Sequence, residues 1–221
     1  MSAIDLQTDG AAHHPGAALS ILPDLIALAD RLAPDRAGTR LHDDPAVRAL
    51  VDSRPVRTIA TRRLGENARA VRAILFDKSP ATNWALGWHQ DRTIVVHARH
   101  DVPGYGPWSR KAGLQHVEPP FALLDAMLTI RIHLDDVSAG NAPLLIAPGS
   151  HRLGRIAEDG IAAVVSRCGV HACLALAGDI WAYATPILHA SAATAVVARR
   201  RVLQVDFSGE ELPDPLRWRG L

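Results

Sequence analysis

A short segment at residues 84–91, with the sequence WALGWHQD, carries side chains that could do chemistry. His89 and Asp91 are two residues apart, and on an extended segment such side chains point to the same side. An imidazole and a carboxylate on one side can bind the same ion, and a second histidine from a distant strand would complete a facial triad. His189, in the segment TPILHAS, is the candidate for that third ligand. Such a triad is typical of non-heme iron(II) oxygenases, because it leaves the opposite face of the iron open.

The His-x-Asp pattern is weak by itself, and two other pairs in the chain share it. His42 begins one of them, in a charged segment that indicates a solvated surface. His133 begins the other with Asp135, at the end of the apolar run of residues 123–132, and is a serious alternative. Spacing alone allows either remaining pair to share a metal with the distal histidine, so the surrounding sequence has to decide.

Three blocks of sequence supply that context. They are WHQD at 88–91, GNAPL at 140–144 leading to PGSH at 148–151, and GDI at 178–180 leading to HAS at 189–191 and Arg200. In this order they resemble the phytanoyl-CoA dioxygenase family of iron(II)- and 2-oxoglutarate-dependent oxygenases, which includes ectoine hydroxylases. The resemblance covers about residues 70–208. One departure is Ala142, where the family pattern leads us to expect glycine.

The resemblance implies a role for each residue of the candidate site. His89, Asp91 and His189 would bind Fe(II). The resemblance therefore favours the His89–Asp91 pair over the pair that begins with His133. Arg200, eleven residues after the distal histidine, would bind the far carboxylate of 2-oxoglutarate, and Ser191 would contact the same carboxylate. Halogenase relatives replace the aspartate by a small residue, so its retention favours hydroxylation. The implied reaction consumes O2 and 2-oxoglutarate, oxidises a C–H bond of a small-molecule substrate, and releases succinate and CO2.

Two arginines stand in apolar strand-like segments. Alternation along residues 199–207 places Arg200 and Gln204 on one side of a strand. If that side lines the mouth of a barrel, the planar guanidinium of the arginine can bind a carboxylate in a bidentate pair, as a lysine cannot. Arg131 needs a partner if it is buried. It is either a second anion contact or paired with an acid such as Asp179.

A segment marked by Gly and Pro, residues 101–120, separates the first block from the next strand. A loop of this length is uncommon in a compact domain unless it is functional or disordered. Trp108, Lys111 and His116 could therefore bind an anionic or polar substrate, together with Arg131. A surface loop pinned by the tryptophan is an equally good interpretation.

The elements around these residues predict a helical prefix followed by strands. Helices are expected at 17–32, 45–52, 55–64 and 157–167, and strands at 69–76, 94–98, 123–134, 144–147, 170–175, 180–184 and 201–208. This order predicts a mainly β fold with N-terminal helices, a double-stranded β-helix of the cupin-like jelly-roll type. Residues 1–16 lack a signal-peptide pattern and predict a flexible N-terminus. Residues 17–221 predict a single oxygenase domain, with the prefix at 17–65 and the jelly-roll core at 69–208.

Composition limits the partners. The chain has 221 residues, of which 48% are apolar and 21% charged, with a net charge of +1. This charge gives no broad attraction to nucleic acid or to an acidic membrane, and no stretch reaches the roughly 18 apolar residues of a spanning helix. Cys168 and Cys173, with His171 between them, offer too few ligands for a typical zinc site and predict buried thiols in a reducing cytoplasm. We expect a cytoplasmic monomer or homodimer without nucleic-acid or membrane partners.

Two other functions remain compatible with the sequence. One is a jelly-roll metalloenzyme that does not use 2-oxoglutarate, and Arg200 argues against it. The other is a barrel that binds a metal or small molecule as a sensor or carrier, against which the complete triad and the arginine argue together. Fold resemblance does not decide among these functions, whereas dependence on 2-oxoglutarate does.

Overall fold

The computed structural model describes residues 4–32, 37–79, 82–193 and 199–221. The described residues form five α-helices, namely α1 (Leu22–Asp30), α2 (Pro45–Val51), α3 (Arg54–Leu64), α4 (Phe121–Asp125) and α5 (Ile161–Cys168). They also form thirteen strands, namely β1 (Ala11–His14), β2 (Gly38–Leu41), β3 (Arg69–Lys78), β4 (Leu86–His89), β5 (Ile94–Val96), β6 (Trp108–Lys111), β7 (Leu114–Val117), β8 (Met127–His133), β9 (Leu144–Ile146), β10 (His171–Cys173), β11 (Ile180–Ala184), β12 (His189–Ser191) and β13 (Arg200–Ser208). None of the helices described is both long and apolar enough to cross a bilayer.

The N-terminal helices begin and end at residues suited to those positions. A short 3-10 turn at residues 19–21 precedes α1, whose first turn contains Pro23, where a missing N–H costs nothing. The carboxylate of Asp44 accepts a hydrogen bond of 2.8 Å from the Ala46 N–H and caps α2. Gly65, with a φ of 79°, ends α3. The three predicted N-terminal helices are therefore confirmed, with α1 starting later than expected, and strand β2, which was not predicted, lies between the first two.

The strands form three antiparallel sheets, and β1 and β2, which lie before and between the N-terminal helices, join the largest of them. The largest has six strands in the order β1-β11-β8-β13-β3-β2, and the second has four in the order β10-β9-β12-β4. A third sheet of three strands, β5-β7-β6, stands beside them. A cavity of about 370 Å³ is lined by strands of both larger sheets. This arrangement confirms the predicted jelly roll with N-terminal helices.

The two central strands of the six-stranded sheet, β8 and β13, divide their side chains by alternation. On one face Leu128, Ile130, Leu203 and Phe207 belong to the core that also contains the buried residues of α1, α2 and α3. The opposite face of the same strands carries polar and charged side chains, and all of them are buried. These are Thr129, Arg131, His133, Arg200, Gln204 and Asp206. The largest apolar core thus lies between the large sheet and the helices, whereas the opposite face of β8 and β13 is mainly polar.

The predicted strand at 123–134 is wrong in its first part. Residues 121–125 form helix α4, which follows Pro119 and Pro120, and the strand begins only at Met127. Pro120 caps the helix, and Ala126 at the other end turns the chain into β8. The apolar run therefore spans two elements, because its length alone does not distinguish a buried helix from a buried strand.

The segment at 101–120 is partly regular rather than an open loop. Strands β6 and β7 pair as a hairpin in which Lys111 faces Leu114 across the turn. Ala112 and Gly113 form that turn with φ values of 50° and 81°, as a two-residue turn that matches the strand twist requires.

The prediction of a flexible N-terminus at 1–16 is also wrong over much of its length, although residues 1–3 lie outside the described residues. Strand β1 pairs with β11 along the edge of the six-stranded sheet. His13 stacks on Trp181 at 4.7 Å between ring centroids and bonds Asp179 at 2.9 Å. The exposed edge of β11 needed a partner for its backbone groups, and this segment supplies it. The assignment of residues 17–221 to one domain stays a prediction.

Candidate active site

Two neighbouring strands bring the three predicted metal ligands together. In the pairing of β4 with β12, His89 lies directly opposite His189. Asp91 follows β4 by two residues, and one donor atom from each of the three side chains lies within 4.8 Å of the others. Among the described residues this is the one group of three or more such side chains. The geometry therefore allows all three to bind one ion.

Both imidazoles are held in the orientation that a metal needs. His89 donates from Nδ1 to the Gly87 carbonyl at 2.8 Å, and His189 donates from Nδ1 to the Ile187 carbonyl at 2.9 Å. A carbonyl only accepts hydrogen bonds, so each Nδ1 carries the proton and each Nε2 keeps its lone pair free. Burial lowers the pKa of His189 to about 4 against the opposing effect of the Asp91 charge, which keeps this ring neutral near pH 7.

Asp91 is held as a carboxylate by an arginine that the sequence analysis missed. Arg72 on β3 contacts Asp91 at 3.3 Å and also pairs closely with Asp206 on β13. Burial acts to raise the pKa of Asp91, but Arg72 and then His189 outweigh it and hold that pKa below its usual value. The carboxylate is therefore available as a charged ligand.

The residue between the two ligands of the first block has a structural role. Gln90 is buried and donates to the carbonyls of Gly154 at 3.0 Å and Pro186 at 2.8 Å. Its carbonyl accepts the Ile156 N–H at 2.9 Å. Because Pro186 shortly precedes His189, the amide of Gln90 ties the end of β4 to the segment that leads into β12.

A cavity of about 370 Å³ opens beside the three ligands. Its walls include the apolar side chains Ile74, Phe76, Trp84, Leu86 and Leu144. They also include the cations Arg40, Arg72, Lys111, Arg131 and Arg200. A cavity of this size and mixed lining suits a small molecule.

Two of these cations are buried without an acidic partner. Arg200 is 2% exposed and Arg131 7% exposed, and no carboxylate among the described residues lies within ion-pair distance of either. Arg200 donates to the Ala142 carbonyl and Arg131 to Gln204 at 2.8 Å, while the Nε of each arginine has no partner. Burial, and then Arg131, lower the pKa of Arg200 to about 9. Buried cations without a counter-ion are costly, so this end of the cavity fits an anionic ligand such as 2-oxoglutarate.

Ser191 and a buried lysine border the same end of the cavity. Ser191 lines the cavity, and its hydroxyl lies 3.4 Å from the Ala142 carbonyl. Lys78, which the sequence analysis missed, is fully buried and lies opposite Arg200 in the pairing of β3 with β13. Its ammonium donates to the carbonyls of Trp84 and Ala192, each at 2.7 Å. The lysine thereby ties β3 to the segments that carry the ligands.

Ala142 departs from the expected glycine at a position where glycine would be favoured. Its φ of 47° lies in the left-handed region that side chains with a Cβ rarely adopt. The resemblance therefore identified a real backbone requirement, and this chain meets it with alanine.

The structure places only two of the four predicted substrate contacts at the cavity. Lys111 and Arg131 line the cavity. Trp108 does not, because it packs in a separate apolar cluster around Val117 and Leu216. His116 is buried in β7 with both ring nitrogens unpartnered and does not line the cavity either. The structure therefore gives no support to a substrate contact by the tryptophan or by this histidine.

The alternative metal site at His133 is not formed. Both ring nitrogens of His133 are without partners, and Asp135 instead pairs with Arg201 at 2.7 Å. The prediction that Asp179 pairs with Arg131 is wrong, because that carboxylate bonds His13 and the backbone N–H of Gly16.

The other residues that were candidate metal ligands, a histidine and two cysteines, do not form a metal site in the described part of the chain either. His42 bonds its neighbour Asp43 at 2.9 Å. Cys168 and Cys173 are free thiols, and burial raises the pKa of Cys173 to about 12. No metal-binding group of three includes them within the described part of the chain.

Several solved structures share this fold. AviO1 from Streptomyces viridochromogenes Tue57 is similar with a TM-score of 0.66 and 19% identity, over 96% of this chain and 99% of that chain. HygX from Streptomyces hygroscopicus, solved with nickel, 2-oxoglutarate and hygromycin B bound, has a TM-score of 0.63 and 12% identity, over 92% of this chain and 84% of that chain. EctD from S. alaskensis in its apoform has a TM-score of 0.65 and 18% identity, over 95% of this chain and 77% of that chain.

Sequence comparison identifies the family more directly. No curated protein sequence matches the chain significantly. The sequence profile described as "Phytanoyl-CoA dioxygenase (PhyH)" matches residues 24–201, which is most of the chain. The matched region contains all three of the clustered ligands and Arg200. The chain therefore belongs to the phytanoyl-CoA dioxygenase family of 2-oxoglutarate-dependent non-heme iron dioxygenases.

Proposed function

We propose that this protein hydroxylates a small-molecule substrate, using His89, Asp91 and His189 to hold iron(II) and Arg200 with Ser191 to hold 2-oxoglutarate. Succinate and CO2 would be the products of the cosubstrate. The observation that carries the proposal is the meeting of two features in one cavity. Donor atoms of three metal ligands of the right types lie within 4.8 Å of one another, and a buried guanidinium with no acidic partner among the described residues lines the same space.

The ligand set suits iron(II) in particular. Two neutral imidazoles and one carboxylate are the donors of the facial triad, which leaves further coordination positions free. Each imidazole presents Nε2 because its Nδ1 is bonded to a backbone carbonyl. The rings need not be reoriented on binding, which favours affinity for the metal.

Binding of 2-oxoglutarate is supported by the positive charge of the part of the cavity that Arg200 lines. The planar fork of Arg200 can donate two hydrogen bonds to a carboxylate, and its buried Nε has no partner among the described residues. Ser191 is on β12, two residues after the third metal ligand, so one strand can contact both the metal and the cosubstrate. Arg131 stands in the same cavity and would add to the attraction for an anion.

Iron and 2-oxoglutarate supply the oxidising chemistry when bound. The protein's residues bind, orient and shield. Arg72 keeps Asp91 ionised, and Gln90 fixes the backbone between the two ligands of β4 and its following turn. Phe76 and Trp84 line the cavity beside the site and would exclude water from a bound substrate.

Retention of Asp91 favours hydroxylation over halogenation, because no coordination position is opened for a halide. The cavity of about 370 Å³ shares His89 and Asp91 with a second one of about 700 Å³, and both volumes lie within the range of small-molecule sites. The bound hygromycin B of HygX makes polar natural products a sensible first set to screen. Two free thiols are in keeping with a cytoplasmic protein, and a monomer or homodimer stays a prediction.

The test is anaerobic addition of iron(II) and then 2-oxoglutarate to metal-free protein, followed by visible spectroscopy. We expect the weak charge-transfer band of a chelated iron complex in the parent and its loss in His89→Ala. His133→Asn is the matched control, because this histidine is buried on the same side of the barrel but is not part of the ligand group.

Each outcome separates the functions that the sequence left open. Iron binding without a band on addition of 2-oxoglutarate would indicate a metalloenzyme or a metal-binding carrier and remove the role of Arg200. A band that is lost in the His133 variant and kept in His89→Ala would move the metal to the alternative pair.

A further inference from the structure

Two cations at the cavity wall are not among the residues that the proposed function assigns to the metal or the cosubstrate. Arg40 on β2 and Lys111 on β6 line the cavity together with His89 and Asp91. They come from different sheets, since β2 is an edge strand of the six-stranded sheet and β6 belongs to the three-stranded one. The fold thus brings two positive charges from separate elements to the same space beside the metal ligands.

Neither cation is neutralised by the described part of the protein. No described acid lies within ion-pair distance of Arg40 or Lys111, whereas the neighbouring Arg72 is paired with both Asp91 and Asp206. The Nε of Arg40 is buried and has no hydrogen-bond partner. Nearby His116 adds no negative charge and is itself neutral, because burial and then Arg72 lower its pKa to about 4.

Loading the site would not remove this excess of positive charge. Iron(II) brings two positive charges, and the 2-oxoglutarate dianion brings two negative ones. One buried guanidinium, Arg200, suffices for the far carboxylate of the cosubstrate. Arg40 and Lys111 then have no acidic partner among the described residues. Arg40 is partly buried, so its cost rises when a substrate displaces water from the cavity, whereas Lys111 is exposed and is held there by no acid in the described part of the chain.

We propose that the substrate carries an acid group, a carboxylate or a phosphate, and that Arg40 and Lys111 bind it and set its position relative to the metal. The inference rests on the proposed function, since it names the substrate class of the same site. An acid bound by these two residues would be held at the cavity wall, which directs the remainder of the substrate toward the ligands at its other side. The two residues are thus specificity-determining and do not take part in the chemistry.

The test uses small acids and an uncharged match. Protein loaded anaerobically with iron(II) and saturating 2-oxoglutarate is titrated with benzoate, with phenyl phosphate and with benzamide, and calorimetry gives each dissociation constant. We expect at least one acid to bind at least tenfold more tightly than benzamide, and the better acid identifies the group. Arg40→Gln and Lys111→Gln should each weaken that acid about tenfold, as expected for loss of a charged hydrogen bond.

Arg110→Gln is the matched control for the lysine variant. Arg110 is the preceding residue of β6, is exposed and does not line the cavity, so its loss should leave acid binding unchanged. The charge-transfer band with 2-oxoglutarate should be kept in all three variants, which also shows that each is folded.

Three results would overturn the inference. The acids could bind no better than benzamide, or bind equally well to both cavity variants, or compete with 2-oxoglutarate and so occupy its place. A fourth result, loss of the 2-oxoglutarate band in Arg40→Gln, would also overturn it by assigning that arginine to the cosubstrate. Absence of the band in the parent protein contradicts the proposed function instead, so the two failures are distinguishable.

Discussion

The two faces of strands β8 and β13 differ in what they bury. Toward the helices, Ile130, Leu203 and Phe207 are part of a continuous apolar core. Toward the cavity, the same strands bury Arg131, His133 and other polar groups, some of them without partners. The first face stabilises the fold, whereas the second lowers stability because it buries polar groups in a site that can bind ligands. Changes to the two faces should therefore have separable effects.

Substitution of a metal ligand is expected to have the largest effect on turnover and little effect on the stability of the fold. His189→Ala removes one of three ligands and should lower turnover at least a thousandfold, about 4 kcal/mol in transition-state stabilisation, as measured by succinate release. The free energy of unfolding of the metal-free protein should change much less. A large loss of stability with retained turnover would contradict the division between the faces.

The apolar face is tested by Phe207→Ala. This side chain is fully buried, so its removal should destabilise the protein by about 3–5 kcal/mol in urea unfolding. The folded fraction should still give the 2-oxoglutarate band, because the cavity is on the other side of the sheet. Loss of the band under conditions where the variant is folded would show that the faces are coupled.

Arg200→Gln tests the polar face. We expect 2-oxoglutarate binding to weaken by about 2–3 kcal/mol, because charge-assisted hydrogen bonds are lost. Stability should be unchanged or higher, since an unpaired buried cation is removed. Arg199→Gln is the control, as the neighbouring arginine pairs with Asp77 outside the cavity. Equal loss of affinity in both variants would argue for a general charge effect.

His133 makes the polar face sensitive to pH. Burial, followed by Arg131 and Arg200, lowers the pKa of His133 to about 3, whereas an unfolded histidine titrates near 6.5. The folded state thus favours the neutral ring, and stability is lost as the pH falls below 6.5. Between pH 6.5 and 5 the parent should lose about 2 kcal/mol more than His133→Asn. Parallel stability curves for the two proteins would contradict this.

The smallest effect is expected at Ala142, whose carbonyl accepts a hydrogen bond from Arg200. Because its φ of 47° suits glycine, Ala142→Gly should raise the free energy of unfolding by up to about 1 kcal/mol. Ala139→Gly, at an exposed residue nearby without a positive φ, should lower it slightly. If both substitutions changed the free energy of unfolding in the same direction, the explanation by backbone conformation would be wrong.

The parts of the site that depend on short-range spacing were predictable from the sequence. His89 and Asp91 are two residues apart, Arg200 is eleven residues beyond His189, and family membership confirms the expected fold class and the cofactors iron(II) and 2-oxoglutarate. The assignment of each residue to the metal or cosubstrate stays a prediction. Alternation also placed Arg200 correctly on the cavity side of its strand.

Features that depend on pairing between distant strands were not predictable in the same way. The role of Arg72 requires β3 to lie beside β13, and that of Arg40 requires β2 to extend the same sheet. Strand β1 has no strong pattern of its own and is ordered by the edge of β11. An open loop at residues 101–120 would make Trp108 a candidate substrate contact, whereas the hairpin packs this side chain into a different cluster.

The two-residue turn between β6 and β7 fixes the register of the hairpin. Lys111 immediately precedes it, and Arg110 points the opposite way by alternation. Insertion of a single residue between Arg110 and Lys111 would leave the two cations two positions apart and place both side chains on one face of the strand. The location of a positive charge beside the metal is therefore encoded in the length of a surface hairpin, and a change of loop length could alter substrate preference without any substitution in the cavity.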